Sequence, residues 1–325
     1  MIITVTPNPS IDRTRILADP LGVGAVNRTV SGTDQAGGKG VNVATVLHSA
    51  GETVISVVPA PDTGHFAELV ATSQVPTRFV PGSAPARTNL TLVDADGVTT
   101  KINEPGNPGN PGALRTVLGR LYDRAGWLVL AGSLPPGYPD NWYATVVADA
   151  HAHGLEVAVD TSGTPLTALF LATASTPAAT PDLIKPNTFE LAEMLGLSPD
   201  DAAGMEDAAG RGDLTAVADG AAALVDRGFP AVLVSLGAAG ALLADGGGSW
   251  FCPCPAVEAV STVGAGDSTL AGYLLGAVRG LDPAGRLALA VAHGTAAVAL
   301  PGTTLPIPGD LPHHLPTPLP TRSTS

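Results

Sequence analysis

From about residue 110 onward, helix-like and strand-like patterns replace each other at regular intervals, and this alternation limits the chain more than any other feature. A helical stretch at 112–123 precedes an apolar run at 127–131, and another at 139–153 precedes a strand-like run at 155–160. A short helical segment at 165–171 leads through a Pro-, Ala- and Thr-rich loop at 172–181 to a strand at 182–185. A helix at 214–227 then precedes a strand at 231–235. Parallel strands need a crossover of helical length between them, and such crossovers are right-handed. The pattern therefore predicts an α/β fold with a mostly parallel sheet flanked by helices.

The first hundred residues depart from this rhythm. Residues 1–6 and 53–58 read as strands and 63–72 as a helix, whereas 12–36 and 76–103 read as short strands and turns without helical period, with Asp96-Gly97 as a hairpin turn. They predict a small β-sheet lid beside the main sheet. The run 199–213, rich in Asp and Ala, reads as a flexible surface insertion, and a helix at 283–300 closes the fold. The folded domain is expected over 1–305, followed by a Pro-rich tail at 306–325 too polar to bury a core and expected to be disordered.

A formal charge of −13 excludes binding through a nucleic-acid backbone or an anionic membrane surface, because both need clustered Lys and Arg. An anionic ligand would need a local basic pocket. No basic, long apolar leader opens the chain, and no apolar run is long enough to span a bilayer. With only two cysteines, in the run 251–254, no disulfide framework is expected, so the chain reads as a cytoplasmic protein.

Three stretches carry chemistry. In the first, Gly264-Ala265-Gly266-Asp267 turns from an extended segment into an apolar helix whose Leu270, Leu274 and Val278 recur at helical spacing. A helix N-terminus presents unpaired N–H groups and partial positive charge, so it can hold a developing anion while Asp267 takes a proton. Asp267 could equally do no more than complement the helix dipole. In the second, Gly37-Gly38-Lys39-Gly40 enters a helix but is not a phosphate loop of the Walker type, because Thr33 stands where the first Gly belongs and Gly40 where Ser or Thr must follow Lys39. It leaves a backbone that a ligand can approach closely, or simply a tight turn, with Asn42 just inside the helix. In the third, Asn187 and Glu190 have the spacing of a capping box, and also that of a pair able to order magnesium-bound water. Asp12 lies just beyond the first strand, where open α/β sheets collect ligands, and Arg87 and Lys101 stand out among only 16 basic residues as anion contacts or as solvated strand charges.

Gly37 to Ala44, Lys185-Pro186-Asn187 with Glu190, and Thr262 to Asp267, in this order, together resemble the PfkB group of ribokinase-like sugar kinases. Thr6 to Thr14, Val26-Asn27-Arg28, Thr100 to Gly106, Gly132 to Gly137 and Ser235-Leu236-Gly237 are most similar to its bacterial 1-phosphofructokinase branch. The resemblance implies transfer of the ATP γ-phosphate, with Mg2+, to the 6-hydroxyl of fructose 1-phosphate. Tagatose 6-phosphate and fructose 6-phosphate are alternative acceptors, and a non-catalytic sugar-phosphate sensor is an alternative of another class.

It further implies Asp267 as base, with Gly264, Ala265 and Gly266 as anion hole. Asp12, Gly38, Lys39 and Asn42 would hold the sugar, and Arg87, Ser133 and Lys101 its phosphate, with Arg28 reaching over from a neighbouring lid. Lys185, Ser235, Gly237 and Gly240 would line the nucleotide site, and Asn187 and Glu190 would organise the metal. A homodimer through the lid is implied as well. One departure from the family pattern is Thr91, where a basic residue often follows the lid arginine.

Overall fold

The computed structural model describes residues 1–323. β1 (Ile2–Val5) leads at once into a hairpin, β2 (Ser10–Leu17) and β3 (Thr29–Gly37), before the chain returns through α1 (Lys39–Ser49), β4 (Val54–Val58), α2 (His65–Thr72) and β5 (Thr77–Phe79). A second hairpin, β6 (Arg87–Val93) and β7 (Thr99–Asn103), follows. The alternating part then runs α3 (Pro111–Gly119), β8 (Trp127–Ala131), α4 (Trp142–His151), β9 (Glu156–Asp160), α5 (Thr164–Thr173), β10 (Leu183–Ile184), α6 (Thr188–Met194), α7 (Pro199–Gly210), α8 (Thr215–Asp226) and β11 (Ala231–Ser235). The antiparallel pair β12 (Gly240–Asp245) and β13 (Gly248–Pro253), the helices α9 (Ala265–Val278) and α10 (Pro283–Val298), and β14 (Leu319–Ser323) complete it.

The main sheet has 10 strands in the order β14-β13-β12-β11-β10-β9-β8-β1-β4-β5, parallel from β11 to β5 and antiparallel beyond β11. Its parallel strands are buried on both faces, which is why Ile2 to Val5 and Trp127 to Ala131 are continuous apolar runs. One face packs on α3, α4, α5, α6 and α8 around Leu118, Tyr143, Val147, Leu191 and Leu224. The other packs on α1, α9 and α10 around Leu47, Leu270, Leu274 and Leu287. Helix α9 is buried almost all round, with only its C-terminal Val278 largely exposed.

The hairpins form a separate sheet of 4 strands, β3-β2-β6-β7, in which the central pair β2–β6 is parallel. This lid differs from expectation at one point. Residues 77–79 belong to the main sheet, as β5 beside β4, and only β6 and β7 of the expected second half lie in the lid. Short strand-like runs look alike in either sheet, and only the register of β4 decides between them.

Two further expectations are corrected. The run at 199–213 is not a flexible insertion: α7 is capped by Ser198 and Asp201 in a capping box and buries Ala202, Met205 and Ala209. The Pro-rich segment is not a structureless tail, since β14 adds to the edge of β13, with Ser249 Oγ 2.7 Å from Thr321 Oγ1. Without it β13 would expose a row of unpaired backbone groups, and an edge strand is where proline is tolerated, as at Pro320.

Candidate active site

The connections on the two sides of β1 and β8 run in opposite directions across the sheet, so the carboxyl ends of β1, β8 and β9 open onto a crevice beneath the lid. Helix α9 points its N-terminus into this region. Its first residue follows Gly264 in a left-handed conformation (φ 78°), and no side chain caps the free N–H groups. Asp267, in the first turn, is buried, and its Oδ2 accepts a hydrogen bond of 2.7 Å from Asn42 Nδ2 of α1. Burial, then the nearby Asp160 carboxylate, raises the Asp267 pKa to about 6, against the opposing pull of Lys39, Asn42 and Lys185. A carboxylate so held is a base at neutral pH and a better proton acceptor than an exposed aspartate.

Asp160 is the member that sequence reasoning missed. It ends β9 and is almost wholly buried, with Oδ1 2.7 Å from Lys39 Nζ and Oδ2 3.1 Å from Lys185 Nζ. Burial works against its charge, but Lys185 and Lys39 outweigh it and hold the pKa below the usual carboxylate range. Burial likewise opposes the Lys39 charge, and the carboxylates of Asp160, Asp267 and Glu190 overcome it and push that pKa above the usual range. The available signal was a polar residue ending the apolar run 157–159, at the carboxyl end of a parallel strand.

On the lid side, Asp12 Oδ1 accepts hydrogen bonds from Ser10 Oγ (2.8 Å) and Asn89 Nδ2 (3.0 Å). At Gly37 a Cβ would occupy the place of the Asp12 carboxylate, so glycine lets that carboxylate lie against the turn. Gly38, at φ 122°, caps α1 where a Cβ would meet Thr6 Cγ2. The glycine-rich turn therefore brings the backbone under Asp12. Arg87 Nη1 donates to the Glu104 carbonyl at 2.6 Å and its Nε has no partner, while burial lowers its pKa from the ordinary value. Ser133 Oγ accepts from Asn8 Nδ2 at 3.2 Å, and the same amide group donates to the Pro105 carbonyl at 3.0 Å. Asn8 was not anticipated. Arg28 and Lys101 are exposed on the lid, and no side-chain hydrogen bond or ion pair ties either to the groups around Asp12 and Asp267.

Beyond the α9 N-terminus lies a cleft of about 530 Å³ lined by Asn187, Ser235, Gly237, Gly240, Gly266, Thr269 and Thr295 together with apolar residues such as Val257, Val291 and Val298. Gly240 sits at φ 122° with the Cys252 carbonyl where a Cβ would be, so β12 can start against β13 only at a glycine. Lys185 does not line this cleft but lies buried beneath it, its Nζ 3.5 Å from the position a Cβ of Gly266 would take. Asn187 and Glu190 form the capping box of α6, each side chain accepting from the other's backbone N–H at 2.8 Å. Glu190 keeps its second carboxylate oxygen outside that box, and burial raises its pKa.

Among the described residues no cluster of three or more His, Cys, Asp or Glu is arranged to hold a metal. The one carboxylate oxygen of Glu190 left outside the capping box is the type of donor that magnesium takes beside its waters and phosphate oxygens.

The profile of the pfkB family carbohydrate kinases matches residues 6–310. A 1-phosphofructokinase of Xanthomonas campestris pv. campestris is 38% identical over 297 residues, covering 89% of this chain and 88% of its own. One from Rhodobacter capsulatus is 36% identical, covering 94% and 93%. Phosphofructokinase-2 from Escherichia coli, in a crystal structure with substrates and products, superposes with a TM-score of 0.80 at 30% identity over 95% of this chain and 96% of that one. The fold, a large mostly parallel sheet with a small lid sheet, is ribokinase-like. The chain belongs to the pfkB family of carbohydrate kinases and is a phosphotransferase acting on a sugar hydroxyl.

Proposed function

We propose that this chain is a 1-phosphofructokinase, transferring the γ-phosphoryl group of ATP to the 6-hydroxyl of fructose 1-phosphate. The observation that carries the chemistry is Asp267, held by Asn42 in the first turn of α9 beside an uncapped helix N-terminus. Asp267 removes the proton of the sugar hydroxyl, and the Gly264, Ala265 and Gly266 amides receive the charge developing on the transferred group. Asp12 and the Gly37–Gly38 turn orient the sugar, and Arg87 and Ser133 meet its phosphate. The cleft past Gly266 takes the nucleotide, with Gly237 and Gly240 allowing its close approach and the Val257 wall suiting the base. Glu190, through its free oxygen, holds the Mg2+ that partly neutralises the phosphates when bound. The substrate reading is supported by the names of the relatives that align along most of the chain.

The lid leaves Val23 97% and Val26 86% exposed in the β2–β3 loop, with Val30, Val98 and Ile102 also open. A patch of this kind suits a second copy of the chain. Arg28, in the same exposed loop, then reaches towards the partner's phosphosugar. The two free thiols, Cys252 and Cys254, fit a reducing cytoplasm, and no helix among the described residues is long and apolar enough to cross a membrane.

An ATP-coupled assay across phosphosugars tests the reading. Fructose 1-phosphate is expected to show a kcat/KM at least about tenfold above fructose 6-phosphate and tagatose 6-phosphate, a margin set by placement of one phosphate. Preference for either 6-phosphate overturns the substrate, and no turnover with any of them overturns the kinase in favour of a sensor.

A further inference from the structure

Asp160 divides its two oxygens between cations that belong to different halves of the site. Lys39 opens α1 directly after the glycine turn beneath Asp12, on the sugar side. Lys185 follows β10 and reaches, from beneath the cleft, the first turn of α9 beside Gly266. The carboxylate between them, at 2.7 and 3.1 Å, has almost no access to water.

A buried triad of this kind is weak evidence for stability, because apolar groups of similar volume usually replace one without loss. Its placement is more informative. Lys39 and Lys185 both act electrostatically on Asp267 and on Glu190, so the two ammonium groups bear on the base and on the carboxylate offered to the metal. We propose that Asp160 is a positioning residue that registers Lys39 against Lys185, so that one cation from the sugar side and one from the nucleotide side flank the transferring phosphoryl group at a fixed separation. This rests on Asp267 being the base. The reaction gains mostly from placement and charge neutralisation, and a misplacement of about 1 Å costs on the order of 10²-fold.

The same arrangement has an electrostatic signature. Asp267 is faced by Asp160 from β9, Lys39 and Asn42 from α1, and Lys185 from the end of β10, with Glu190 of α6 acting on the same Lys39. Neutralising Asp160 leaves both ammonium groups acting on Asp267 without a counter-charge. The acid limb of kcat then moves to lower pH, which a purely structural residue would not cause.

The test compares Asp160→Asn and Asp160→Glu with the parent protein in the ATP-coupled assay with fructose 1-phosphate, over a range of pH and beside thermal melts. Asp160→Asn is expected to lower kcat by at least about 30-fold, as a displaced pair of cations should, with KM changes of less than about threefold and an acid limb shifted downward. Asp160→Glu keeps the charge but displaces it, so its acid limb should stay with the parent while kcat remains low. A folded Asp160→Asn protein with parental kcat and acid limb overturns the proposal, as does failure of both variants to fold, since Asp160 is then structural. Asp267→Asn measured alongside separates the two readings. Turnover retained there removes the base itself, whereas turnover lost there but kept in Asp160→Asn removes only the role of Asp160.

Discussion

The two halves of the crevice are built from different materials. The nucleotide half consists largely of backbone: an uncapped helix end, a capping box, and glycines at φ 55° and 122° packed against the antiparallel strands. The sugar half consists of side chains, held mostly by other side chains, Ser10 and Asn89 on Asp12 and Asn8 on Ser133, with Arg87 held by the Glu104 main-chain carbonyl. The first half rests on the large cores. The second hangs on a sheet of 4 strands backed by a small cluster of Val41, Val58, Phe66 and Val70. A cleft that holds a ligand common to many reactions can be rigid, whereas a lid that closes on one sugar must keep contacts that break and reform.

The largest expected effect lies at the seam between the halves. Asp267→Asn should lower kcat by at least about 10²-fold with KM values little changed. In the parent, kcat should fall as pH drops through about 6, where Asp267 takes up its proton. The stability sign is opposite to that of a salt-bridged aspartate. A pKa raised on folding means that the folded state holds the proton where the unfolded chain has lost it, so this group's contribution to stability falls between about pH 4 and 6. The shift of roughly two units is worth on the order of 3 kcal/mol. Asp267→Asn should therefore melt higher than the parent at pH 7.5, an inactive but more stable protein; a lower melting temperature would contradict a charge held at a cost.

Two glycine substitutions test backbone against side chain directly. Gly240→Ala forces a Cβ onto the Cys252 carbonyl at positive φ, so it should destabilise by several kcal/mol and raise the KM for ATP. Gly37→Ala meets only the Asp12 carboxylate, which can swing away, so it should leave the melting temperature nearly unchanged and raise the KM for the sugar. Equal melts for the two would erase the distinction.

Arg87→Ala should raise the KM for the phosphosugar by about tenfold or more, the scale of a lost charged hydrogen bond, while the KM for ATP stays within about twofold. The smallest effect on turnover is expected from ending the chain at residue 310. The catalytic groups are untouched, but the bared β13 edge should promote concentration-dependent association, visible by light scattering.

Much of this site was legible in the sequence because its signals are local. Gly264 to Asp267, the Gly37–Gly38 turn and the Asn187–Glu190 pair each declare a helix start through four or fewer neighbouring residues. The box at Asn187 and Glu190 forms, and it leaves one Glu190 oxygen outside it, so cap and metal contact are compatible readings of the same pair. Asp160 was not legible, since an aspartate after an apolar strand is ordinary until two lysines, 121 positions before it along the chain in one case, arrive at its oxygens. Asn8 and Asn89 were hidden for the same reason.

The sequence alone thus settled the α/β alternation and the helix starts at Lys39, Thr188 and Ala265, and it singled out Asp267 as the candidate base, because these depend on backbone hydrogen-bonding needs and periodicity within a few residues. Tertiary structure decided which sheet 77–79 joins, that 199–210 is a capped helix with one face buried, and that 319–323 covers an open edge. It also decided the Asp267 pKa and the Asp160 bridge, because burial and charge act through space, and the groups that exert them are brought together only when the β9 and β10 ends, α1 and α9 meet.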